Sequence, residues 1–269
     1  MRKIVVKYCE APTIIRRPMW RIWHNLISKF DKKNEVVFMN YGYTSLNGEK
    51  KLDLKKEDKS DEYCINLYHK VANQVDLSGK DVLEVGSGRG GGASYIKRYL
   101  EPETYTGVDI SSTVINFCNK KHEVDGLSFK KGKAEEIPFS ANKFDAVINV
   151  ESARCYSSIN AFFREVKRVL KNDGHFLFAD MIKKGDVDEV EKELEEAGFE
   201  VEQKTNITKN VVEALDVDNE RRQSLVTSLI PKFLRGGFLE FAGAKGTKRY
   251  KSFASGEMNY WVFKLSPDS

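Results

Sequence analysis

KDVLEVGSGRGGGASYIKRYL, Lys80 to Leu100, is the stretch that decides the fold. Val82, Leu83 and Val85 form a short apolar run, after which Gly86, Gly88, Gly90, Gly91 and Gly92 crowd into seven residues. Tyr95, Ile96, Tyr99 and Leu100 follow at helical spacing. A buried strand, a glycine turn and a helix in that order make the first unit of a doubly wound α/β sheet. Glycine suits such a turn because it accepts positive φ and lets the backbone approach a ligand with no Cβ in the way.

Outward from this stretch the α/β alternation is regular. Tyr105–Ile110 reads as a second strand, with Ser111 and Ser112 capping a helix through Lys121. Leu127–Lys131, Phe144–Val150, His175–Asp180 and Phe199–Gln203 read as strands three to six, with helices over Ile159–Leu170 and Val187–Ala197. The last third breaks this rhythm: Ile207–Leu234 reads as helix, Phe238–Ser255 as loop, and Glu257–Leu265 as a late strand. A seventh strand delayed by an insert predicts a Rossmann-like, seven-stranded sheet whose last strand enters antiparallel, with the insert over the carboxyl ends of the strands. The expected units are an N-terminal helical or lid segment (1–75), a core (76–206), a helical cap insert (207–255) and the returning strand (256–269). Within the first, Trp20, Trp23, Ile27 and Phe30 share one helical face, and the charged run from Asn47 to Asp61 reads as a mobile loop.

Composition narrows the class. No apolar run approaches the ~18 residues of a membrane span, and the apolar N-terminal run Ile4–Val6 is far short of a signal sequence. Cys9, Cys64, Cys118 and Cys155 are widely spaced, with no CxxC and no histidines at ligand spacing, which predicts reduced thiols in a cytoplasmic protein and no metal site. A formal charge of +4 does not call for nucleic acid, and the basic run Lys245, Lys248, Arg249, Lys251 reads as a solvated face.

The loop Gly86-x-Gly88-x-x-Gly91 fits a dinucleotide and an adenosylmethionine seat equally well. Asp109, 21 positions after Gly88 at the end of the second strand, can accept hydrogen bonds from both hydroxyls of a ribose. Together with Ala134-Glu135-x-x-Pro138-Phe139, Phe144-Asp145 and Asp173-Gly174-His175-Phe176, these motifs make the chain resemble class I S-adenosylmethionine-dependent methyltransferases. A fuller resemblance runs through Val37-Phe38-Met39-Asn40, Ile65-Asn66-Leu67-Tyr68-His69, Gly90 to Tyr95, Asn149-Val150-Glu151, Cys155-Tyr156 and Leu229-x-Pro231-x-Phe233-Leu234. These segments look like the phthiotriol and phenolphthiotriol dimycocerosate methyltransferases, which O-methylate a hydroxyl of a long-chain lipid.

The resemblance implies S-adenosylmethionine as cofactor, seated by Glu84, Gly86, Ser87, Gly88, Asp109, Ile110, Ala134, Glu135 and Asn149. It implies a hydrophobic acceptor, lipid or polyketide-like, against Tyr41, Tyr43, Arg154 and Tyr156, without nucleic acid and with at most transient membrane contact. An alcohol acceptor calls for a base; His69 is the first candidate and Glu151 the second. Two positions depart from the family. Lys133 stands where it has Asp before Ala-Glu, and an ammonium only donates. Arg154 stands where it has His, and a guanidinium stays protonated. The competing readings are methylation at carbon, a silent adenosylmethionine-binding scaffold, and an NAD-dependent oxidoreductase, the last opposed by the loop's position some 85 residues into the chain and by the Ala134-Glu135 and Phe139 stretch.

Overall fold

The computed structural model describes residues 26–27, 29–48 and 51–268. Trp20, Trp23, His24 and most of the expected N-terminal helix lie outside the described residues. Seven strands form one sheet: β1 (Asp81–Val85), β2 (Thr104–Asp109), β3 (Leu127–Lys131), β4 (Phe144–Val150), β5 (Leu170–Lys183), β6 (Phe199–Asn206) and β7 (Met258–Pro267). Their order is β3-β2-β1-β4-β5-β7-β6. Strands β1 to β5 pair in parallel, and β7 runs antiparallel between β5 and β6. The sheet expected from sequence is the sheet observed.

Period-two side-chain alternation sorts the residues of β1 onto two faces. Val82 packs with Ile65 and Leu67 of α1 (Glu62–Ala72), Ala93 and Ile96 of α2 (Gly91–Tyr99), and Val114 of α3 (Ser112–Lys121). Leu83 and Val85 pack on the other face with Phe162, Phe163 and Val166 of α4 (Ile159–Val169) and Leu194 of α5 (Val187–Glu196). Helix α3 is capped as expected, Ser111 Oγ accepting from Val114 N at 3.4 Å.

The insert departs from expectation. The segment read as one helix is two, α6 (Thr208–Val217) and α7 (Asn219–Leu229), and the segment read as loop holds α8 (Arg235–Phe241) and α9 (Lys248–Ala254). Thr247 caps α9 by accepting from Tyr250 N, and Glu240 accepts from the N–H groups of Lys248 and Arg249. The charged stretch before α1 is also tied down rather than loose. Leu54 is buried, Asp58 accepts two hydrogen bonds from Arg98 at 2.7 and 2.8 Å, and Lys55 N donates to Tyr99 Oη.

Candidate active site

A cavity of about 610 Å³ opens at the carboxyl ends of β1, β2 and β4, walled by the glycine loop, the turn after β3, the turn after β4, and residues 37–41. Gly86 adopts φ 79°, and a Cβ there would stand 2.3 Å from Ser152 Oγ, so only glycine lets the loop lie against that turn. A Cβ on Gly92 would fall 2.0 Å from the Tyr68 ring, which seats α2 directly on α1. Ser87 Oγ is buried without a hydrogen-bond partner beside the cavity. Buried polar atoms are rarely left so, and an orphan at a cavity wall marks a place for a ligand's polar group.

Asp109 ends β2 on this cavity. It accepts from Ser111 N at 2.8 Å and Gly88 N at 3.3 Å, and burial pushes its carboxyl up to about 6 against those two bonds. Ile110, Ala134 and Glu135 line the same end. Glu135 is committed to the chain, accepting from the backbone N–H and hydroxyl of Ser157. Lys133 is exposed and lines the same cavity, its ammonium 3.7 Å from Glu136.

The arm of residues 31–41 is bound to the glycine loop by a buried ion pair that sequence reading misses. Arg89, inside the loop, donates to Asp31 Oδ2 at 2.8 Å and to the Val36 carbonyl, with side chains 1% and 0% exposed. Its guanidinium also stacks 3.8 Å from the Phe117 ring. Asp31 accepts in addition from the N–H groups of Glu35 and Val36, and Gly91 N donates to the Val37 carbonyl. The two partners lie 58 residues apart. A bulky cation between two loop glycines was the available signal.

Glu151 lies just beyond β4 and is one of four described non-glycine residues with positive φ, at 53°. Holding a glutamate there costs on the order of 1–3 kcal/mol, a strain that clusters at functional sites. The reward is a carboxylate aimed into the cavity. Both of its hydrogen bonds end on Oε1, from Tyr41 N at 2.9 Å and Tyr260 Oη at 3.0 Å, which leaves Oε2 for a proton from the cavity. Burial raises its carboxyl to about 7, restrained by the Tyr41 bond and by Arg154. Burial opposes the Arg154 charge, but Tyr41, Asp180 and Glu151 outweigh it and the guanidinium stays protonated. Asp180, buried on β5, accepts from Met181 N at 2.7 Å and from Arg154 N at 3.5 Å. A carboxyl titrating near neutrality beside a fixed cation can take a proton and stabilise a developing oxyanion.

Of the residues expected from sequence, the structure gathers Gly86, Ser87, Gly88, Asp109, Ile110, Ala134, Glu135, Tyr41, Glu151, Arg154 and Tyr156 around one cavity. It does not bring four others to that wall. Glu84 is wholly buried behind the loop, its oxygens taken by the hydroxyls of Tyr68 at 2.9 Å and Tyr105 at 3.0 Å. Asn149 also lies behind the wall, its Nδ2 donating to the Val85 carbonyl, Ser152 Oγ and Tyr156 Oη. His69, the leading base candidate, pairs its Nδ1 with Tyr95 Oη at 2.8 Å in the α1–α2 interface, away from the cavity. Tyr43 is packed in the core, with Lys70 over its ring. Among the described residues there is no acid, thiol and imidazole group able to hold a metal ion, and no helix long and apolar enough to cross a membrane.

A family model described as a methyltransferase domain matches residues 83–178. The chain is 36% identical to the phthiotriol/phenolphthiotriol dimycocerosates methyltransferase of Mycobacterium leprae, over 95% of this chain and 94% of that one. It is 38% identical to the fatty-acid O-methyltransferase of Mycolicibacterium smegmatis, over 86% of this chain and 84% of that one. Among solved structures, the cyclase SpnF shares the fold with a TM-score of 0.71 at 19% identity, covering 91% of this chain and 94% of that one.

Proposed function

The chain belongs to the family of the phthiotriol/phenolphthiotriol dimycocerosates methyltransferases, S-adenosylmethionine-dependent enzymes, and on that premise we propose that it methylates a hydroxyl oxygen of a long-chain, lipid-like acceptor. The observation that carries the reading is Glu151: a buried carboxyl near neutrality, in strained backbone, on the cavity that the glycine loop and Asp109 also line.

The residues present fit the cofactor. The orphaned Ser87 Oγ offers a polar contact, the glycine backbone at Gly86 and Gly88 allows close approach, and Asp109 offers its carboxylate to the ribose hydroxyls. When bound, S-adenosylmethionine supplies a methyl group on a sulfonium, open to in-line attack by an oxygen. The chain's own part is alignment, proton removal and exclusion of water. Glu151 Oε2 takes the hydroxyl proton. Arg154 holds negative charge at the acceptor oxygen and remains protonated throughout. Tyr41 and Tyr260 fix the Glu151 carboxylate by holding its other oxygen.

The test is methyl transfer from isotope-labelled S-adenosylmethionine to a long-chain secondary alcohol, followed across pH. The base works ionised, so turnover should rise as pH passes about 7. Glu151→Gln should lower turnover about 10²-fold or more with cofactor affinity kept. Undiminished turnover in that variant would discard the assignment. Arg154 favours a second reading, a fatty-acid carboxylate as acceptor, because a half-buried guanidinium on the cavity wall pairs well with a carboxylate. The product separates the two: an ester is cleaved by mild alkali and an ether is not.

A further inference from the structure

A second cavity of about 730 Å³ lies across the arm from the first, sharing with it the wall Val37 to Tyr41 and Phe241. Its apolar side comes from the cap and the arm. Ile27, Val226, Ile230 and Phe238 form a small cluster of their own, separate from the two cores that flank the sheet. Leu225 and Leu229 face the same space from α7. A cleft of this size, with aliphatic side chains along one side, offers apolar contact to a ligand.

Most of the charged groups on its other side are engaged within the protein. Asp31 is paired with Arg89, Arg98 with Asp58, and Arg221 with Asp61 at 3.0 Å. Arg222 stands 2.9 Å from Asp218 and donates to the carbonyls of Tyr41 and Ala242. With these pairs held inside the protein, the larger part of the lining open to a ligand is apolar, at a volume typical of small-molecule sites. We infer that this second cavity binds a long hydrocarbon chain, the tail of the acceptor whose oxygen reacts beside Glu151. The inference rests on the reading of the acceptor as lipid-like, and it adds where the chain lies: under α7 and α8, against the far side of the arm.

The experiment is a binding titration of the whole protein with cis-parinaric acid, a fluorescent long-chain fatty acid, with and without saturating S-adenosylmethionine. Wild type should bind the probe whether or not the cofactor is present. Leu225→Glu, which puts a carboxylate on the cavity wall at a half-buried position, should weaken probe binding at least tenfold. Leu229→Trp, which fills the space, should do the same. Both variants should bind S-adenosylmethionine as wild type does in calorimetry, which also shows that they fold. No probe binding by wild type, equal binding by both variants, or displacement of the probe by S-adenosylmethionine would overturn the inference. Probe binding that is lost in the variants, with no alcohol or acid methylated, would instead remove the proposed reaction and leave the chain site standing.

Discussion

Replacing Glu84 with glutamine should flatten the pH dependence of stability. Glu84 is 0% exposed, and burial raises its carboxyl from 4.5 to about 7 even though the Tyr68 and Tyr105 hydroxyls both donate to it. Folding therefore favours the protonated form. The stability this group contributes is fully present below about pH 4.5 and is lost as pH rises through about 7. A shift of that size is about a 300-fold change in proton affinity, about 3 kcal/mol, most of it falling between pH 5 and pH 8. Glutamine cannot titrate, and it can accept from Tyr68 while its amide donates to the Tyr105 oxygen, so the cavity stays filled and bonded. Asp109 and Glu151 titrate in the same direction in both proteins, so only the difference between wild type and variant is informative. Urea unfolding at pH 5, 6, 7 and 8 should show the variant gaining on wild type by about 2–3 kcal/mol over that range. A difference that stays level from pH 5 to pH 8 would refute the claim that this carboxyl is forced to ionise without water.

Asp31→Ala strands the Arg89 guanidinium in a dry site and should cost about 3–5 kcal/mol in chemical denaturation, with weaker cofactor binding as the arm lets go of the glycine loop. Asp109→Asn should weaken S-adenosylmethionine binding about tenfold or more in calorimetry, because a charged group with two accepting oxygens is replaced by a neutral amide with one. His69→Ala should leave turnover with saturating substrates nearly unchanged and lower stability by about 1 kcal/mol for the lost Tyr95 bond, measured by steady-state kinetics and urea unfolding.

The parts of this molecule that sequence makes legible are those fixed by backbone periodicity. Strand, glycine turn and helix follow from residue spacing, and Asp109 lands on the cavity because the end of β2 is where open α/β sheets present ligand contacts. Side-chain direction is another matter. Glu84 and His69 sit in segments whose order is plain, yet each points to a partner on a neighbouring element, Tyr105 or Tyr95, that only packing reveals. The cap was obscured by Gly243 and Gly246, which made Phe238–Ser255 read as loop, although Thr247 ahead of Tyr250 was a legible helix cap. The Asp31–Arg89 pair is invisible for the opposite reason. Arg89 between two loop glycines hints at a buried cation, but nothing local names Asp31 as its partner, and the pair exists only because the arm folds back on the loop.

On the proposed reading, arginine at position 154 moves the base to Glu151 rather than removing it. Burial pushes the Glu151 carboxyl up, and the Tyr41 bond, the Arg154 charge and the Tyr260 bond restrain the rise, leaving it at about 7. That is where a base is both present in its working form and strong enough to matter. The consequence is measurable. Arg154→Met removes the cation but keeps an unbranched side chain, so the Glu151 carboxyl should move up and the rising limb of the pH–rate profile should shift to higher pH, with the plateau reached later. Arg154→Lys should restore most of the lost position, because charge and not the guanidinium fork sets the Glu151 affinity for its proton. If the limb stays near pH 7 in Arg154→Met, the proton is being taken elsewhere, and Glu151 is a structural carboxyl that only shares the cavity with the acceptor.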